Sequence, residues 1–133
     1  MIREQISVFL ENKPGSLAKL IRLLAAHEID LEAMSISETS DYGILRILTG
    51  RVDETVALLM SENYSCKITQ VLAVTVPDEP GSLTRILAVL AEHGVSISYS
   101  YAFFSREAGH ASIVLRVADN DSVTALLRSE GIE

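Results

Sequence analysis

The chain has 133 residues, with 11 Lys and Arg against 18 Asp and Glu, a formal net charge of −7. Hydrophobic residues make up 48% and charged residues 22%, the balance of a packed globular chain and not of a disordered one. The acidic balance speaks against a nucleic-acid partner, whose phosphates need clustered Lys and Arg, and no apolar run reaches the roughly 20 residues that span a bilayer.

The first stretch, MIREQISVFLENK, carries acids around its only apolar segment and does not read as a signal peptide. Cys66 is the single cysteine, so no internal disulfide forms. A soluble cytoplasmic protein is expected. Residues 4–11 alternate apolar and polar, the pattern of a half-buried strand. Residues 16–27 place apolar side chains at i, i+3, i+4 and i+7, which predicts an amphipathic helix. Residues 30–38 read as a second strand, Asp41-Tyr42-Gly43 as a turn and Gly43–Leu48 as a third strand. A second helix is predicted over 53–61, and Ser65–Thr69 is a fourth strand running almost directly into Gln70.

The same order then begins again. Asn12-Lys13-Pro14-Gly15-Ser16-Leu17 reappears as Asp78-Glu79-Pro80-Gly81-Ser82-Leu83, 66 positions later. Ile6, Val8 and Leu10 match Leu72, Val74 and Val76, and Leu17, Leu20, Ile21 and Leu24 match Leu83, Ile86, Leu87 and Leu90. His27 matches His93, Ile29 matches Val95, and Leu31 matches Ile97. Such an internal repeat sets the architecture. It predicts strands over 70–77, 96–104 and Ser112–Val117, helices over 82–93 and 121–129, and a turn at Glu107-Ala108-Gly109. Two units, 1–69 and 70–133, fill the chain. Each reads β-α-β-β-α-β, an α+β, ferredoxin-like plan with an antiparallel sheet and both helices on one face. The second unit lacks room for its last strand. A neighbouring chain, or the continuous segment Ser65–Pro77, is expected to cover the edge left open.

The turn between first strand and first helix carries the strongest local chemistry. Pro14 and Pro80 end strand pairing, Gly15 and Gly81 permit positive φ, and Ser16 and Ser82 stand where a helix N-cap is expected. The first amides of the helix then face outward, ready for an anion such as an α-carboxylate. Asn12 can donate and accept beside that turn, and Asp78 or Glu79 can face an ammonium group.

The doubled pattern resembles the ACT domain, a small βαββαβ module that binds amino acids in many metabolic regulators. Glu11-Asn12-Lys13-Pro14-Gly15-Ser16-Leu17-Ala18, Leu23-Leu24-Ala25 and Ile29-Asp30-Leu31 carry the resemblance in the first copy. Asp78–Leu83 and the run Val89-Leu90-Ala91-Glu92-His93-Gly94-Val95-Ser96-Ile97 carry it in the second. It implies modules joined side by side, as a homodimer or larger homo-oligomer, with ligand between the first loop of one module and the second strand of its neighbour. Carried over, the resemblance implicates Asn12, Lys13, Pro14, Gly15, Ser16 and Leu17 with Ile29, Asp30, Met34 and Ser35. In the second copy it implicates Asp78, Glu79, Pro80, Gly81, Ser82 and Leu83 with Val95, Ser96, Ser98 and Tyr99. The function it implies is non-catalytic sensing of a free amino acid on behalf of a partner enzyme or regulator. The alternatives are a ligand-free assembly module and a regulatory subunit of a biosynthetic enzyme.

Other signals are weaker. Tyr99, Tyr101, Phe103 and Phe104 gather four of the seven aromatic residues on one predicted strand, as packing, pocket or interface. His27 and His93 read as helix C-terminal caps, Cys66 as a packing residue, and the repeated Arg46 and Arg116 as cross-strand partners for an acid such as Glu11, ahead of reaching a carboxylate ligand on the open sheet face. No metal motif, phosphate loop or nucleophile turn occurs, so no catalytic residue, metal or cofactor is expected. The third strands lack the basic aromatic pattern of RNA readers.

Overall fold

A computed structural model describes residues 1–38, 41–104 and 107–133. Its strands are β1 (Ile2–Glu11), β2 (Ala33–Glu38), β3 (Tyr42–Leu48), β4 (Cys66–Pro77), β5 (Tyr99–Ala102) and β6 (His110–Arg116). The helices are α1 (Ser16–Ala26), α2 (Val52–Ser61), α3 (Ser82–Glu92) and α4 (Asn120–Ser129). The chain divides into two compact units. The first is Glu4–Thr69; the second is Gln70–Glu133 together with Met1–Arg3, which the sequence division had assigned to the first.

In the first unit the strands run in the order β2-β3-β1-β4, with β4 contributing the residues up to Thr69. Antiparallel registers place Ile6 opposite Ile47, Val8 opposite Leu45 and Met34 opposite Ile47. Alternation sends Ile6, Val8, Leu10, Leu45 and Ile47 to one face, where they meet Leu20 and Leu24 of α1 and Leu59 of α2. The second unit repeats this design in the order β4-β6-β5. Its core joins Leu72, Val74 and Leu115 to Ile86, Val89 and Leu90 of α3 and Val123 and Leu127 of α4. Cys66 packs against the first core, and burial pushes its thiol pKa up.

Within the chain, the outer edge of β4 in the second unit is met by the first and last residues and not by the segment 65–77, which itself forms β4. The Ala73 amide donates to the Met1 carbonyl at 2.7 Å, and the Thr75 amide to the Glu133 carbonyl at 2.7 Å. This second bond repeats that from the Phe9 amide to the Ser65 carbonyl, 3.0 Å, in the first unit.

All four helices end in one way. After α1, the Ile29 amide donates to the Leu24 carbonyl and the Glu28 amide to that of Ala25, the double bond of a Schellman motif. Tyr64 and Asn63 do the same after α2, Val95 and Gly94 after α3, and Ile132 and Gly131 after α4. The motif needs a left-handed residue at its centre, and all four take it: Glu28 at φ 55, Asn63 at 66, Gly94 at 67 and Gly131 at 73. In each case the following apolar residue packs on the core, as the buried leucine five positions earlier also does. This closure explains why the second strands begin later than expected, at Ala33 and Tyr99 instead of 30 and 96. Ile29 and Val95 serve helix termination. The two histidines reinforce it: Nδ1 of His27 lies 3.1 Å from the Leu23 carbonyl and Nδ1 of His93 2.9 Å from that of Val89.

Arg46 is not partnered by Glu11. Its Nη1 donates to Ser37 Oγ at 3.0 Å, and Glu11 instead pairs with Lys13 at 3.0 Å. Register explains this, because Arg46 stands opposite Ser7 and Ser35, at the far end of the ladder from Glu11. Arg51 donates to the carbonyls of His27 and Glu28 and to the Glu54 carboxylate.

Two predictions follow from these helix ends. Glu28 holds a backbone conformation costing a non-glycine residue about 1–2 kcal/mol, part of which glycine would give back as unfolded-state entropy. Glu28→Gly should therefore raise stability by roughly 0.5–1 kcal/mol in urea denaturation. The Arg51 hydrogen bond holds the Glu54 carboxyl below its ordinary range. Its contribution is present above the ordinary glutamate range and is lost as pH falls through the lowered value. The gap in melting temperature between the parent and Glu54→Gln should accordingly be present at neutral pH and narrow in acid.

Candidate functional site

Both first turns are built by one left-handed glycine. Gly15 has φ 85 and Gly81 φ 94, and each occupies the helix N-cap position. Ser16 and Ser82, expected there, are instead the first helical residues, and neither helix has a side-chain cap. A left-handed glycine reverses the chain without help from a hydroxyl.

Backbone bonds hold the turn. The Lys13 amide donates to the Glu11 carbonyl at 3.0 Å, that of Ser16 to Lys13 at 3.3 Å and that of Lys19 to Gly15 at 2.9 Å. The Asn12 amide donates to the Asp41 carbonyl at 3.1 Å. The second copy repeats each bond, from Glu79 to Pro77, Ser82 to Glu79, Arg85 to Gly81 and Asp78 to Gly109. Among the described residues the amides of Gly15, Leu17 and Ala18, and of Gly81, Leu83 and Thr84, have no acceptor. These are the orphan donors of a helix start, bearing its partial positive charge.

In the first unit the turn opens onto a groove of about 880 Å³, within the size range of small-molecule sites. Lys13, Pro14, Gly15 and Ser16 form one end, and Lys19, Arg22 and Leu23 of α1 one wall. Phe9, Leu10 and Glu11 from β1 and Tyr42 from β3 also line it. Glu62, Asn63, Tyr64 and Ser65, between α2 and β4, form the opposite wall. The Schellman ending of α2 sets that wall, and the Phe9–Ser65 backbone bond brings it beside β1.

The groove gathers four of the residues implicated from sequence, Lys13 to Ser16. Asn12 is exposed, and Leu17 is half-buried against the core of its unit; neither lines the groove. Ile29 is buried in the core of its unit, and Met34 packs against the same core. Asp30 is exposed, and Ser35 is half-buried on β2. In the second unit Asp78, Glu79, Pro80, Gly81 and Leu83 are exposed and Ser82 is half-buried. Val95 packs on the core, and Ser96 and Ser98 are exposed. Tyr99 stacks on Tyr101 with ring centroids 6.5 Å apart. Sequence reasoning missed the groove's helical wall and the 62–65 segment. Lys19 and Arg22, three apart on α1, were the available signal. Among the described residues no group of His, Cys, Asp and Glu suits a metal, and no helix is long and apolar enough to cross a membrane.

Comparison with known proteins adds to this geometry. A family model described as an ACT domain pair matches residues 1–129. The crystal structure of protein BT0572 from Bacteroides thetaiotaomicron is 32% identical, with a TM-score of 0.91, over 100% of this chain and 91% of that one. The ligand-free regulatory subunit of aspartate kinase from Thermus thermophilus shares the fold at 14% identity and TM-score 0.69, over 96% and 90% of the two chains. The corresponding subunit from Thermus flavus does so at 14% and 0.65, over 96% and 92%. No curated protein matches the chain.

Proposed function

We propose, for a chain that belongs to the ACT domain family as a domain pair, that it is a non-catalytic regulatory sensor of a free amino acid. The observation that carries this reading is the first turn. Of its three unpartnered amides that of Gly15 lines a groove large enough for an amino acid and lined by both charges, and those of Leu17 and Ala18 follow it in the first turn of α1. An α-carboxylate there gains charge-assisted hydrogen bonds from N–H groups that the fold leaves without acceptors, each worth roughly 1.5–3 kcal/mol. The ammonium group finds acceptors in Glu11 and Glu62, which line the same groove. Nothing in this arrangement pairs a nucleophile with a base, so the bound molecule is held and not transformed.

Binding passes its signal on by favouring one arrangement of the protein over another. A partner enzyme or regulator, and a homodimer or larger assembly of this chain, are parts of the proposal. They rest on the family's habit of joining modules and on the absence of chemistry in the groove.

Thermal unfolding with a panel of amino acids at millimolar concentration tests the reading. A ligand at about 100 times its dissociation constant stabilises by about 2.7 kcal/mol, which raises the melting temperature by several degrees in a chain of this size. One or a few amino acids should do this. Gly15→Ala, which forces a side chain into φ 85, should cost about 1–2 kcal/mol of stability and abolish most of the shift. A uniform lack of response across the panel would count against the sensor.

A further inference from the structure

The groove is not electrically neutral. Lys13, Lys19 and Arg22 line it together with Glu11 and Glu62, in a chain whose net charge is −7. Lys13 is already engaged, 3.0 Å from the Glu11 carboxylate. Lys19 and Arg22 have no acidic partner among the described residues. They stand three residues apart on α1 and so share a face, separated by about 4.5 Å of helix rise. The groove lining thus joins the bare amide of Gly15, at the partially positive start of α1, to the two cations Lys19 and Arg22 on the same helix.

Resting on the reading that this groove binds a free amino acid, we infer that its ligand is acidic: an α-amino acid with a second carboxylate on its side chain. One carboxylate meets the amides and the other meets Lys19 and Arg22, while the ammonium group has Glu62 across the groove. Three cations against two carboxylates leave the lining with one positive charge, the complement of a ligand with two carboxylates and one ammonium group. A neutral amino acid leaves Lys19 and Arg22 unanswered, and a basic one brings its cation against them.

The second unit keeps the turn and lacks the cationic wall. At the repeat spacing of 66, Ala88 stands where the first unit has Arg22, and Glu79 where it has Lys13. Arg85 corresponds to Lys19, but its guanidinium donates to the Glu130 carbonyl beside Gly131. The duplication thus separates the two contributions: both copies present the amides, and only the first adds the two uncommitted cations. Selective binding is accordingly assigned to the first unit, one ligand per chain.

Titration calorimetry of the full chain tests this with L-aspartate and L-glutamate against L-asparagine and L-glutamine, which keep the shape and lose the charge. One acid should bind at about one per chain and about tenfold or more tighter than its amide, since a charge-assisted contact is roughly twice as strong as a neutral one. Its affinity should fall as salt rises. Lys19→Gln with Arg22→Gln, both exposed positions, should bring the acid down to the level of the amide. Lys67→Gln, which removes the same kind of charge from an exposed position outside the groove, should leave the preference unchanged. Equal binding of acid and amide, or a preference that survives the double substitution, overturns the inference while leaving amino-acid sensing intact. Failure of all four compounds and of the wider panel removes the sensor reading as well.

Discussion

A helix that begins on a left-handed glycine begins uncapped. Gly15 and Gly81 turn the chain from strand to helix within one residue, at φ 85 and 94. A serine or aspartate cap would have spent its side-chain oxygen on the second or third amide of the helix. Asp119 does this at the start of α4, accepting from the Ser122 amide at 3.1 Å. At α1 and α3 the same donors stay open, and their position beside β1 and β4 is fixed by the pairing of those strands. The capacity to hold an anion is therefore a consequence of backbone geometry, and the side chains around it decide which anion.

The duplication makes that division of labour visible. What the units share is structural: two glycine turns, four Schellman endings, and a leucine and a following apolar residue closing each helix on its core. What they do not share surrounds the turn, with Asn12-Lys13 against Asp78-Glu79 and Arg22 against Ala88. Even the helix ends have diverged in residue type at constant geometry. Glu28 and Asn63 hold left-handed conformations that the second unit gives to Gly94 and Gly131. Asn63 lines the groove, and there a side chain is present where the other copy has none.

Much of the fold was legible because its periods are clean. The two-residue alternation of Ile6, Val8 and Leu10 and the helical spacing of Leu17, Leu20, Ile21 and Leu24 each point to one core face, and the repeat confirmed the frame. The misreadings have a common source. Ser16 and Ser82 were read as caps from residue preference, and Ile29 and Val95 were carried over as ligand residues, where the backbone had already settled their roles through a left-handed neighbour. The site was half legible. Its turn is a local motif, but its far wall comes from residues 62–65, about 50 positions away in sequence from the turn at 13–16. Only the pairing of β4 with β1 brings them together. Lys19 and Arg22 belong to no motif in the sequence, and only the folded chain places them on one groove with residues 62–65.

The most direct measurement is a nitrogen–proton correlation spectrum of the labelled chain, recorded as an amino acid that stabilises it is added. The account predicts that the amide signals of Gly15, Leu17 and Ala18 shift together and saturate with the occupancy seen by calorimetry, while those of buried residues such as Leu45 stay in place. Saturable binding that leaves these three signals unmoved would contradict it, because the carboxylate would then be held elsewhere.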